Sequence, residues 1–254
     1  MPNESNVLET GLAAHEVDTM RAVEDELWWY RALRHHVLKT LEVAREDFDL
    51  LDAGCGSGGM LARIRERFPK SSLTGVDVSE RALELTAARN SRAALVHGRV
   101  DALPFADAAF DFVLSLDVLT VRGVDDRRAM TEMFRVLRPN GRLVLNLPAF
   151  QFLRGSHDIA VNQVRRVTRA DVVPFLRKLG FTIERCTYWN MTLTPLIATI
   201  RWASRDQTNE LRSDLKPVWP PLNFALTRLT KAELAISRIV PLPFGTSLFV
   251  VARK

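Results

Sequence analysis

The chain is 254 residues long, 47% hydrophobic and 26% charged, the composition of one large or two small globular domains, which excludes a disordered or fibrous protein. Its longest uncharged stretch, residues 186–200, has 15 residues, below the roughly 18 to 20 that cross a bilayer, and Met1-Pro2-Asn3-Glu4 starts neither a basic nor an apolar leader; a cytoplasmic chain without a membrane span is expected. The net charge of +5 lies wholly in residues 154–216, with 11 basic and 6 acidic side chains against 24 and 24 elsewhere, and without a dense basic stripe or a recognisable module no nucleic-acid partner is expected. That basic excess is read as solvated helix faces or as a patch that draws an anionic or lipid-linked acceptor.

Residues 1–45 are expected to form a helical cover, centred on Glu26-Leu27-Trp28-Trp29-Tyr30-Arg31-Ala32-Leu33-Arg34-His35-His36, with His35 and His36 on the helix surface. From about residue 46 to 148, short apolar runs alternate with helical stretches, the pattern of a parallel sheet with crossover helices. Strands are predicted at 48–52, 72–77, 94–98, 110–115 and 142–146, with helices at 60–68, 79–90 and 127–137. Near-continuous apolar strands are what a sheet covered on both faces requires. Ser79 stands before Glu80 and the apolar rhythm of Ala82, Leu83 and Leu85 as a helix N-cap, and Pro69 and Pro139 fall where helices stop.

Downstream, a helix over 169–179 closes on Gly180, a strand follows at 181–183, and the last strand is at 246–252. Residues 188–244 read as an insertion with helices at 195–204 and 222–240, separated by Pro217, Pro220 and Pro221. Leu222, Leu226, Leu229, Ile236 and Val240 give the second helix one apolar face, which suits an acceptor lid, a contact in a homo-oligomer or a surface resting on a membrane. Cys55 and Cys186 lie 131 positions apart, so neither a disulfide framework nor a metal site is expected.

The run Leu50-Leu51-Asp52-Ala53-Gly54-Cys55-Gly56-Ser57-Gly58-Gly59 is a strand that ends in a glycine-rich turn before a helix, where a ligand can approach backbone amides. Gly54, Gly56 and Gly59 formally match a dinucleotide fingerprint, with Asp77 21 positions after Gly56. Asp52 argues against a dinucleotide, because a carboxylate there would repel a pyrophosphate and attract the amino group of an amino-acid cofactor. Asp101 can accept from an exocyclic amine such as that of adenine, with the amide of Ala102 reading a ring nitrogen.

Asp52-Ala53-Gly54-Cys55-Gly56-Ser57-Gly58, Gly75-Val76-Asp77-Val78-Ser79, Asp101-Ala102-Leu103-Pro104-Phe105, Phe110-Asp111-Phe112-Val113 and Leu137-Arg138-Pro139-Asn140-Gly141-Arg142 stand in order and at family spacing. Together they resemble the class I S-adenosylmethionine-dependent methyltransferases, of the type 11 and 12 kind with small-molecule acceptors, over about residues 46–185. The resemblance implies a Rossmann-like, doubly wound α/β fold with a mostly parallel seven-stranded sheet. It also implies one domain over 1–254: the cover at 1–45, a cofactor-binding core at 46–187, the insertion at 188–244 and the last strand at 245–254. The implied cofactor is S-adenosyl-L-methionine, with Asp52, Gly54, Cys55 and Gly56 at its methionine part and Asp77 and Val78 at the ribose. Asp101, Ala102 and Leu103 fall at the adenine, and Leu116 and Asp117 beside the transferred methyl. Cys55 is read as a small residue that fits the turn, with no catalytic role.

The paired aromatics of the amino-terminal run are similar to those of superfamily members whose helix covers the cofactor. Tyr30 belongs to that aromatic set, and Arg31 or Arg34 would meet the methionine carboxylate. Methyl transfer from a sulfonium is a direct displacement, so the protein aligns the acceptor and excludes water, and a base helps where the nucleophile sheds a proton. His157, in Gly155-Ser156-His157-Asp158, is one base with Asp158 as its orienting partner, and Asp117 is a second. The expected function is methyl transfer to a small or medium-sized metabolite at O, N or C. The alternative is a cofactor-binding regulatory or partner module that does not transfer a methyl.

Overall fold

The computed structural model describes residues 14–42, 46–89, 92–203 and 217–254. The expected apolar runs form strands β1 (Asp49–Ala53), β2 (Ser72–Asp77), β3 (Ala94–His97), β4 (Phe110–Leu116), β5 (Leu137–Pro148), β6 (Thr182–Trp189) and β7 (Ser247–Arg253). They join one seven-stranded sheet in the order β3-β2-β1-β4-β5-β7-β6. Strands β1 to β5 pair in parallel, and β7 runs antiparallel to both β5 and β6. The alternation of runs predicted the parallel strands with crossover helices, and the resemblance implied the doubly wound, mostly parallel seven-stranded sheet that they form.

The helices are α1 (Ala14–Val23), α2 (Trp28–Leu41), α3 (Gly59–Arg67), α4 (Glu80–Ala88), α5 (Asp126–Val136), α6 (Ser156–Ala160), α7 (Arg169–Leu179), α8 (Thr194–Ala203) and α9 (Pro220–Ser237). Strand alternation sends Leu51, Val113, Leu143 and Leu145 to one face, where α5 and α7 add Met130, Met133, Val172 and Leu176. Leu50, Phe112, Leu114 and Val144 face the other way, against Val37 and Leu41 of α2, Leu61 and Ile64 of α3, and Leu234 of α9. Local signals act as read: the Ser79 side chain accepts from Ala82 N at the start of α4, and Gly180 ends α7 with φ of 106°.

Three boundaries move for physical reasons. β6 runs eight residues instead of three, because it is an edge strand that alternates polar and apolar and shows no continuous run; the insertion therefore starts at Asn190 and not at 188. β5 begins at Leu137, inside the turn expected to precede it, with a register irregularity opposite Phe110 to Phe112. The Gly155 to Asp158 segment, read as loop, contains the single turn α6. Asn90 and Ser204, which closed two predicted helices, lie outside the described residues, as do 1–13 and 43–45 of the expected cover and 204–216 of the basic segment.

His36 is a correction. It is 1% exposed and stacks on Phe249 with ring centroids 3.6 Å apart, because α2 turns this position onto the sheet. α9 packs along α2, with Asn223 Oδ1 accepting from Trp28 N at 2.8 Å, Asn223 Nδ2 donating to Glu26 O at 2.8 Å, and Arg238 donating to Lys39 O at 3.1 Å. The face that α9 buries is polar: Asn223, Thr227, Thr230, Glu233 and Ser237, with Leu234. The Thr227, Thr230 and Ser237 hydroxyls donate to carbonyls of their own helix, so their burial leaves these donors satisfied. Of the apolar face read from Leu222, Leu226, Leu229, Ile236 and Val240, Leu226 is half-buried and Val240 lies past the end of α9, while Leu222, Leu229 and Ile236 are exposed and point outward.

Candidate functional site

The strand order reverses between β1 and β4, which in an open parallel sheet leaves a crevice beyond the carboxyl ends of the strands. A cavity of about 640 Å³ fills it, within the roughly 300–1,000 Å³ of small-molecule pockets. The glycine turn after β1 forms one wall. Gly54 has φ of +90°, and a Cβ there would sit 2.4 Å from Val118, so both the backbone conformation and the space exclude a side chain. Asp77, at the end of β2, accepts from the Gly56 amide at 2.9 Å and the Ser79 amide at 2.9 Å, tying the turn to the next strand.

Asp52 is 2% exposed and borders the cavity. Burial, with the Asp77 charge nearby, pushes its carboxyl up to about 8. Burial also raises Asp77, against the pull of the amides it accepts from. A buried and a half-buried carboxylate on one wall call for a cationic or donor ligand. On the cover side, Arg34 donates to Asp25 at 3.0 Å, and its Nη2 is buried without a partner among the described residues. A buried acid and an unpartnered guanidinium nitrogen bordering one cavity complement a zwitterion better than a pyrophosphate. The residues present therefore fit a nucleoside amino acid.

Trp28, Trp29 and Tyr30 roof the cavity, and Trp29 stacks on Trp189 at 5.5 Å. Burial, with the charges of Glu24 and Asp117, raises the Tyr30 phenol. Leu116 ends β4 and Asp117 follows it, both bordering the cavity, and Asp117 has φ of 61°. Its Oδ2 accepts from Asn146 Nδ2 at 2.8 Å, while Asn146 Oδ1 accepts from Trp189 Nε1 at 2.8 Å. Burial brings the Asp117 carboxyl up to about 7, against the opposing Asn146 bond and Arg166 charge. His157, Arg154, Arg122 and Ile200 also border the cavity.

Residues 51–145 match the model of the methyltransferase domain family. A probable S-adenosylmethionine-dependent methyltransferase of Mycolicibacterium smegmatis is 28% identical over 190 residues, 72% of this chain and 71% of that protein. The malonyl-[acyl-carrier protein] O-methyltransferase of Hahella chejuensis is 36% identical over 99 residues, 38% of this chain and 35% of the relative, so the chain spans about a third of that protein. Among solved structures, phosphoethanolamine N-methyltransferase 2 of Haemonchus contortus, in complex with S-adenosyl-L-methionine, superposes with a TM-score of 0.60 at 18% identity over 87% of this chain and 52% of the other, a likeness of fold. Residues 51–145 thus carry a methyltransferase domain, and the matches support a class I S-adenosylmethionine-dependent methyltransferase.

Most of the site residues expected from the sequence of this methyltransferase border one cavity: Tyr30, Arg34, Asp52, Gly54, Cys55, Gly56, Asp77, Val78, Asp101, Leu116, Asp117 and His157. Ala102 and Leu103 do not. The Ala102 amide donates to Arg99 O at 3.3 Å and the Leu103 amide to Glu132 at 3.0 Å, so neither is free to read a ring, and Leu103 packs in the core. Asp101 keeps its place on the wall, but Arg99 grips its carboxylate at 2.8 and 2.7 Å. Burial pushes that carboxyl up, and Arg99 with the Asp125 amide more than offsets it, leaving it below its ordinary value. Asp158 is committed to Arg166 at 2.9 and 3.2 Å, Arg201 at 3.3 Å and the Gly155 amide at 2.8 Å, which overturns its reading as a partner dedicated to His157. Arg31 turns away and donates to Asp25 O at 3.3 Å.

Other residues of the methyltransferase site went unread. Glu24 of the cover segment bonds Ser57 of the glycine turn and the buried Arg89 after α4, and Asp25 accepts from Arg89 at 3.0 Å. No local spacing announces contacts 33 and 65 positions apart. Asn146 did carry a signal: one amide inside the apolar run Leu143-Val144-Leu145-Asn146-Leu147 is a buried polar group that needs a partner.

Proposed function

We propose that this enzyme methylates a small or medium-sized metabolite seated at the Asp117 end of the cavity, and that its S-adenosylmethionine lies along the Asp52 wall. Asp52 receives the amino group, Arg34 Nη2 the carboxylate, Asp77 with Val78 the ribose hydroxyls, and Asp101 the adenine edge. The bound cofactor supplies an electrophilic methyl on a sulfonium. Trp28, Trp29 and Tyr30 exclude water from it, and their faces favour a cation. Asp117 accepts the proton that an O–H, N–H or activated C–H acceptor sheds, since a carboxyl with a pKa of about 7 exchanges protons readily near neutral pH. His157, which borders the same cavity, is a second proton acceptor. The two free cysteines accord with a cytoplasmic setting.

The observation that carries this reading is the buried Asp52 and the half-buried Asp77 on the glycine-turn wall of a cavity that Arg34, with its unpartnered Nη2, also borders. Calorimetry with S-adenosylhomocysteine, followed by label transfer from S-adenosylmethionine to a panel of phenols, amines and carboxylates, tests it. Binding with a labelled product is expected. Saturation by a dinucleotide without heat from S-adenosylhomocysteine would reject the site, and tight binding without label transfer would favour the non-transferring module.

A further inference from the structure

We propose that the outward face of α9, with Trp219 before it, rests on an anionic lipid surface and brings the cavity mouth to that surface. Leu222, Ala225, Leu229, Ala232 and Ile236 recur at i, i+3, i+7, i+10 and i+14, which aligns them in one stripe, and all five are exposed. Trp219 is 70% exposed at the start of the helix and Ile239 84% at its end. The opposite, polar face is the one packed on α2. A helix with this inverted arrangement keeps its apolar stripe for contact with something outside the chain.

Charge selects the occupant. Arg228, Lys231 and Arg238 flank the stripe, and none forms an ion pair among the described residues. The acid of α9, Glu233, is buried, accepting from the Met191 amide at 2.9 Å and from the Thr192 amide and hydroxyl at 2.8 Å each. A two-fold contact with a second copy would set these cations against their own kind, whereas anionic headgroups complement them. Trp202, 72% exposed, and Trp219 are residues that favour the headgroup region. No helix among the described residues is long and apolar enough to cross a membrane, so the contact is peripheral.

The face is continuous with the cavity. Val218, directly before Trp219, borders it, as do Ile197 and the exposed Ile200 of α8. An amphiphilic acceptor would therefore enter from the lipid side, a consequence that rests on the methyl-transfer reading, although the surface itself does not.

Sedimentation of the full chain with vesicles of phosphatidylglycerol and phosphatidylcholine, against phosphatidylcholine alone, tests the surface. The protein is expected to follow the anionic vesicles, less so as salt rises, and Leu229→Glu with Ile236→Glu to lower the partition coefficient at least about tenfold. Arg228→Glu with Lys231→Glu should weaken partition to the anionic vesicles only. Absence of binding to anionic vesicles, or equal binding by the Leu229 and Ile236 variant, overturns the proposal. So does a dimer in analytical ultracentrifugation that the same variant dissolves, which would assign the face to a second copy. Calorimetry with S-adenosylhomocysteine on each variant reads the cofactor site separately, so loss of lipid binding with intact cofactor heat counts against the surface alone.

Discussion

Asn146 holds Asp117 across neighbouring strands: its Nδ2 donates to Asp117 Oδ2 at 2.8 Å, and Trp189 Nε1 donates to its Oδ1, which fixes which way the amide faces. The bond lowers the Asp117 carboxyl, so Asn146→Ala should raise it further above about 7. The limb on which the methylation rate rises with pH then moves to higher pH, and the rate at pH 7 drops roughly 5-fold, while Asp117→Asn costs roughly 100- to 10,000-fold for a protic acceptor. Affinity for S-adenosylhomocysteine stays within a few-fold in Asn146→Ala. An unmoved pH profile would remove Asn146 as a positioning residue.

Asp52 should show opposite effects on binding and stability. Its carboxyl, at about 8 in the folded chain and about 4 unfolded, binds a proton more tightly when folded, so its contribution to stability is present below pH 4 and lost as pH rises to about 8. Asp52→Asn should therefore raise the thermal midpoint of the ligand-free protein at pH 8 by a few degrees, with the gain vanishing near pH 4. The same variant should bind S-adenosylhomocysteine roughly 10- to 100-fold more weakly by calorimetry.

His36 has the reverse sign. Burial, with the Arg185 and Arg238 charges, holds its imidazole well below the usual range, so the unfolded chain takes up a proton that the folded chain refuses. Stability should fall as pH drops below about 6.5. Urea denaturation at pH 7.5 and 5.5 compares His36→Leu with the parent, and the variant should lack a component of up to about 1.4 kcal/mol per pH unit. Equal pH dependence in both would place a compensating partner on His36.

Glu24 ties the cover to the glycine turn and to Arg89, with side-chain exposures of 8% for Glu24 and 7% for Arg89. Glu24→Ala leaves the buried Arg89 side chain with Asp25 and the Ser57 carbonyl as its remaining partners, a loss on the order of 3 kcal/mol in chemical denaturation. Glu24→Gln, which keeps an acceptor for Ser57, should lose less. Because Glu24 also borders the cavity, S-adenosylhomocysteine affinity should fall in Glu24→Ala.

What the sequence determined by itself was whatever contiguous residues decide. The glycine turn, the Ser79 cap, the Gly180 stop and the β1 to β5 runs each depend on neighbours within a few positions, and the acids Asp52, Asp77 and Asp101 follow from their place at strand ends. The tertiary structure decided the rest because its partners lie far apart in the chain. Arg99 claims Asp101, Asp158 is drawn to Arg166 and Arg201, and Asn146 joins Trp189 to Asp117 across 43 and 29 positions. The periodicity of α9 disclosed an apolar stripe but not its direction, since helical spacing names a face and only packing against α2, with hydroxyls satisfied by their own helix, turns that face outward.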